Sequence, residues 1–142
     1  ILGLYMIKQL HEQGEIEGDL QDFYVTFMAG IFRSVRFGAS SAHGKANMIR
    51  FNFFQEFGAF SRNEDTGKYS VDFEKLEEAM KALSNKILTL QGDGDYDGVA
   101  TLVSEKAGIG SQLQADLDRL SSAGIPVDIV FEQGVDALGL GD

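Results

Sequence analysis

The chain has 142 residues, enough for one domain with a sizeable core. It contains no cysteine, which excludes disulfides, thiolate metal sites and cysteine nucleophiles. The formal net charge of -10 argues against nucleic acid and anionic membrane as partners; its simplest meaning is solubility. Hydrophobic residues make up 44% and aromatic residues 11%, so a folded core is expected and disorder only at the ends. No apolar run is long enough to span a bilayer and no signal peptide is visible, so a cytoplasmic location is expected.

Ile1, Leu4, Tyr5 and Lys8 recur at helical spacing from the first residue, with no N-cap before them. The pattern predicts a helix to Gln13, with Gly14 as its stop, and suggests a chain trimmed at its N-terminus. Asp19 is a good N-cap for a second helix to about Arg36, ending near Gly38, in which Ala29 and Gly30 would let a neighbour approach closely. Ser40 or Ser41 then opens a third helix, ending near Gly58. Residues 59–72 read as a β-hairpin around Asn63-Glu64-Asp65-Thr66-Gly67. Asp72 caps a long fourth helix from Phe73 to about Leu90, with Phe73, Leu76, Met80, Leu83, Ile87 and Leu90 inward. Its acids, among them Glu77 and Glu78, are expected on the solvated face beside Lys75, Lys81 and Lys86. An acidic Gly/Asp loop over 91–98 leads to a helix from Val99 to Ala107, and Ser111 caps another to Ala123. Gly124 and Pro126 stop that helix; Val127 to Phe131 reads as a last strand, and 139–142 as a flexible tail. The expected fold is mainly α: a bundle of about six helices with a small β-hairpin or strand element.

Three stretches invite a chemical reading. His11-Glu12 begins like the H-E-x-x-H helix of zinc proteases, but the fifth position is Glu15 and Gly14 breaks the helix. Asp93, Asp95 and Asp97 with Gly98 resemble the start of a calcium loop; the twelfth position is Ser104, so the bidentate carboxylate is missing and an acidic turn is the plainer reading. Gly108-Ile109-Gly110 lacks the third glycine and the preceding strand of a dinucleotide fingerprint. The third helix is the strongest. His43, Asn47 and Arg50 lie four and three residues apart, so they share one face of an otherwise aromatic helix. His43 is either a helix-start residue bonded to a neighbour or a donor facing a cleft, able to stabilise an oxyanion. Arg50 and Lys45, with Arg33 and Arg36 from the preceding helix, could support it; near a helix C-terminus the last two are favourable in any case.

Ile1-Leu2-Gly3-Leu4-Tyr5, Ala29-Gly30, Ala42-His43-Gly44-Lys45-Ala46-Asn47 and Phe54-Gln55-Glu56-Phe57-Gly58, in that order, resemble the dipeptidyl peptidase III family. That family comprises zinc exopeptidases that remove dipeptides from peptide N-termini, with zinc held by an H-E-x-x-[x]-H helix and an E-E-x-x-A-[ED] helix. The resemblance implies that both motifs precede Ile1, that zinc is a cofactor of the full-length protein and not of this fragment, and that the chain is the C-terminal part of a catalytic domain. It implies that His43 is similar to the family histidine that stabilises the tetrahedral intermediate, with Asn47, Arg50 and Arg36 as substrate contacts. Asn47 departs from the arginine that many members carry four residues after the histidine, and a neutral amide does not replace a guanidinium fork. Some relatives carry an upstream Nudix domain, so a Nudix-fusion hydrolase is one alternative. A non-catalytic helical interaction module is the other. The partners implied are a peptide substrate and the N-terminal part of the same polypeptide, with a tendency to self-associate through apolar surface left uncovered.

Overall fold

A computed structural model describes residues 1–124 and 132–140. In chain order it contains α1 (Leu2–Glu12), α2 (Leu20–Val35), α3 (Ala42–Glu56), β1 (Phe60–Arg62), β2 (Tyr69–Val71), α4 (Phe73–Asp93), α5 (Tyr96–Lys106) and α6 (Ser111–Ser122). The fold is mainly α with a small hairpin, as the patterning predicts. The expected strand from Val127 to Phe131 lies outside the described residues.

Local chemistry sets most of the boundaries. The Asp19 carboxylate accepts from the Gln21 N–H at the start of α2, Ser41 Oγ from the Gly44 N–H at the start of α3, and Asp72 from the Lys75 N–H at the start of α4. The cap of α3 is therefore Ser41. α6 differs from expectation: Gly110 is its N-cap, with no side-chain cap, and Ser111 is its first residue. The 91–98 loop also differs. α4 continues to Asp93, Gly94 terminates it at φ +63, and Asp95 accepts from the Gly98 N–H to open α5 at Tyr96. A C-terminal glycine followed at once by an N-cap lets the helices meet with only Gly94 and Asp95 between them. At the other end, Leu140 N–H donates to the Val135 carbonyl at 2.8 Å, so part of the expected flexible tail closes a turn.

α3 is the central element, packed on α2, α4, α5 and β1. Its Met48, Phe51 and Phe54 are buried with Tyr24, Ile31 and Val35 of α2 and Leu76, Ala79 and Leu83 of α4. Phe60 of β1 lies 5.4 Å from Phe54 and 5.9 Å from Phe51, ring centre to ring centre, and the hairpin thereby closes one side of the core. The strands are antiparallel, with Phe60 opposite Val71 and Arg62 opposite Tyr69. Asn63 shapes the turn: its side-chain oxygen accepts from the Thr66 N–H and its backbone carbonyl from the Gly67 N–H.

Two expectations about packing fail. Ala29 and Gly30 are exposed, and a Cβ added at Gly30 would meet nothing within 4 Å, so no helix uses them for close approach. Glu77 is half-buried and pairs with Lys8 of α1 and Tyr24 of α2; it joins three helices and is not part of a solvated stripe with Lys75, Lys81 and Lys86. Helical spacing places Glu77 beside the apolar stripe of α4, and long neighbours from α1 and α2 reach it there.

Candidate functional site

His43 stands in the first turn of α3 and is exposed to solvent. Its ring has no hydrogen-bond partner among the described residues. The chain prepares this position through Gly44. That glycine is buried, and a Cβ on it would lie 2.7 Å from Ala39 Cα, inside backbone contact distance. The segment leaving α2 therefore crosses close against the start of α3. Among the described residues, the helix-start reading of the histidine finds no neighbour bonded to its ring.

Asn47 and Arg50 follow on the same face, but their groups are engaged with one another. Asn47 Nδ2 donates to Ser34 Oγ of α2 at 2.6 Å, and Arg50 Nη1 donates to Asn47 Oδ1 at 2.8 Å. Ser34 had no signal in the sequence beyond its place near the end of α2. Arg36 caps the C-terminus of α2 and lays its guanidinium over the Phe37 ring, 4.8 Å from the centroid. Lys45 and Arg33 are exposed.

Arg50 also lines a cavity of about 550 Å³ between the start of α1, α3, the second half of α4 and α5. Ala46, Ile49, Leu83, Ile87 and Leu102 form much of its apolar wall, and among the described residues Arg50 is its one charged side chain. A second groove of about 580 Å³ continues from it along α1 and α4, sharing Ile1, Leu2, Ser84 and Leu88. His43 lines neither.

Among the described residues, no three His, Asp or Glu side chains are gathered where they could hold a metal ion. His11 binds inward: its Nε2 donates to the Gly18 carbonyl at 2.8 Å and closes the α1–α2 loop. Asp93 belongs to the last turn of α4 and Asp95 is committed to the α5 cap, so the calcium alternative at Asp93, Asp95 and Asp97 finds no converging ligands. The described residues do not fit a zinc site either.

One buried polar cluster escaped the sequence reading. Arg62 of β1 holds Asp116 of α6 through Nε and Nη2, at 2.8 and 3.2 Å, and Tyr69 of β2 donates its hydroxyl to the same carboxylate at 2.8 Å. Arg62 above all, with help from Tyr69 and Gln112, outweighs burial and holds the Asp116 pKa down at about 2. Burial, and then the Asp116 bond, push Tyr69 up to about 12. This cluster fastens α6 to the hairpin. Its signal was available: Asp116 falls between Leu113 and Leu117 on the buried stripe of α6.

No protein-family model matches the sequence. Solved structures do. Dipeptidyl peptidase III from Caldithrix abyssi superposes on 99% of the chain with a TM-score of 0.82 and 34% identity. The fold is that of a segment of dipeptidyl peptidase III. The enzyme of that name from Corallococcus sp. strain EGB gives the same TM-score over 97% of the chain, at 33% identity. A curated relative, Nudix hydrolase 3 of Arabidopsis thaliana, is 42% identical over 130 residues. The chain spans 26% and 25% of the two dipeptidyl peptidase III structures and 17% of the plant protein. Among the described residues, no helix is long and apolar enough to cross a membrane.

Proposed function

We propose that this chain is a single domain forming one wall of the peptide cleft in a zinc-dependent hydrolase of dipeptidyl peptidase III type, the C-terminal part of a longer catalytic domain. His43 is the transition-state donor in this reading. The observation that carries it is an exposed imidazole without a hydrogen-bond partner among the described residues, on a helix whose fold matches that of dipeptidyl peptidase III segments. A ring N–H held at the rim of a packed helix can donate to the oxyanion that develops when a peptide carbonyl becomes tetrahedral. Zinc, held by residues outside this chain, would supply the activated water. Asn47 and Arg36 take supporting roles: Asn47 ties α3 to α2 through Ser34, and Arg36 packs on Phe37 beside the α2–α3 connection. The peptide substrate and a cytoplasmic location belong to the same proposal.

The 42% identity to Nudix hydrolase 3 favours a second form of this reading, in which the longer polypeptide is a Nudix-fusion hydrolase. Any Nudix chemistry would then lie outside these residues.

The test is dipeptide release from peptide N-termini by a zinc-loaded polypeptide of the relatives' length. His43→Ala should lower kcat by about 100-fold or more while leaving KM nearly unchanged, as expected for a lost oxyanion donor. Equal kcat in the two proteins would refute the role given to His43. No dipeptide release by the parent protein would favour the non-catalytic interaction module.

A further inference from the structure

Ser34 ends a directed chain of hydrogen bonds. Arg50 can only donate, so its bond to Asn47 fixes the amide with Oδ1 toward the guanidinium and Nδ2 toward Ser34. Nδ2 also can only donate, so Ser34 Oγ accepts, at 2.6 Å, and the hydroxyl proton must go elsewhere. Thr101 and Ser122 spend that proton on the carbonyl four residues before them. Ser34 does not: its hydroxyl proton has no acceptor among the described residues, and the residue is exposed. A chain that starts at a cation and runs in one direction polarises each bond and strengthens the last donor. The position matters as well. Asn47 lies one turn beyond His43 on the same face of α3, about 6 Å along the axis, and it holds Ser34 Oγ at its own level. An extended peptide repeats its same-side carbonyls every second residue, at about 6.6 Å. We propose that Ser34 is a substrate-binding residue, whose hydroxyl donates to the backbone carbonyl two residues away from the one that His43 stabilises. This rests on the peptidase reading, which also sets the direction. Only two residues precede the bond that is cut, so the carbonyl held by Ser34 belongs to the second residue after it. The substrates favoured are then peptides of four residues or more.

The test uses the zinc-loaded polypeptide of the relatives' length and two uncleavable ligands. Each has a ketomethylene unit (CO–CH2) in place of the amide to be cut. One is the tetra-alanine amide; the other ends in an isopropylamide after the third alanine, and so lacks only the final carboxamide. Calorimetry should give the first ligand a Kd about five- to tenfold lower than the second. Ser34→Ala should bring the two Kd values together, and Ser34→Thr, which keeps the hydroxyl, should restore the difference. The ratio of two ligands cancels any general loosening of the fold, which a merely structural serine would cause. Equal Kd values in the parent protein, or a difference that survives in Ser34→Ala, would overturn the proposal. So would loss of the difference in Ser34→Thr as well, which would assign it to packing, or failure of the parent to bind either ligand. Binding is read without hydrolysis: a polypeptide that shows this pattern but releases no dipeptides would strike the peptidase reading and leave the Ser34 contact standing.

Discussion

Asn47 uses both ends of its amide inside the fold, donating to Ser34 and accepting from Arg50. Asn47→Ala removes two hydrogen bonds whose other partners remain partly in contact with water, so the cost should be about 1 kcal/mol in urea unfolding. A loss of several times that would mean that Ser34 and Arg50 are stranded. The Asp116 cluster is more exacting, because the carboxylate is buried and Arg62 is largely covered. Asp116→Ala leaves Arg62 without its main partner and should lower Tm by about 5 °C or more. The pH dependence has two arms. Asp116 is depressed in the folded state, to about 2, so its contribution is complete above the unfolded carboxylate range and disappears as pH falls from about 4 to 2. Tyr24 and Tyr69 are raised to about 12, so their contribution is complete below about pH 10 and is lost between 10 and 12. A stability profile followed by circular dichroism should be flat between these windows with respect to these groups. Survival of the acid arm in Asp116→Asn would assign it to another carboxylate.

At the scale of elements, two glycines in neighbouring helices should respond with opposite sign. Gly30 is exposed in the middle of α2 with open space around it, so Gly30→Ala should stabilise by about 0.5–1 kcal/mol through helix propensity alone. Gly44 lies against the Ala39 backbone, so Gly44→Ala should destabilise by about 1–3 kcal/mol and displace the start of α3 that carries His43. Thermal unfolding of the two variants reads both signs in one experiment. The helices were legible because their caps are local: Asp19, Ser41 and Asp72 announce α2, α3 and α4 within four residues of sequence. The α4–α5 junction was harder. Gly92, Asp93, Gly94 and Asp95 have loop composition, yet α4 extends through the first two and only Gly94 and Asp95 make the turn. Of the candidate site, the shared face of His43, Asn47 and Arg50 followed from helical spacing. The Ser34 bond and the cavity at Arg50 did not, because both depend on how other helices approach α3, and single-sequence periodicity carries no such distance.

For the whole molecule, the described residues bring no metal ligands together. The 142-residue chain should therefore keep its Tm when treated with a chelator and retain no stoichiometric zinc after dialysis. A chelator-induced fall in Tm would place a structural metal in this chain and upset the division of labour proposed above. The apolar grooves along α1, α4 and α5 belong to the same scale, since Leu2 and Leu88 on their walls are 75% and 65% exposed. Exposed apolar residues on this scale favour association, while the charge of -10 opposes it between identical copies. Sedimentation at rising salt separates the two forces: screening should increase self-association.

The most direct measurement is a crystal structure of a zinc-loaded polypeptide of the relatives' length with a phosphinic peptide, whose tetrahedral phosphorus carries the oxygen that mimics the oxyanion. The account requires a His43 ring nitrogen within about 3 Å of that oxygen. A ring turned away from the bound phosphinate, or covered by the rest of the polypeptide, would contradict it.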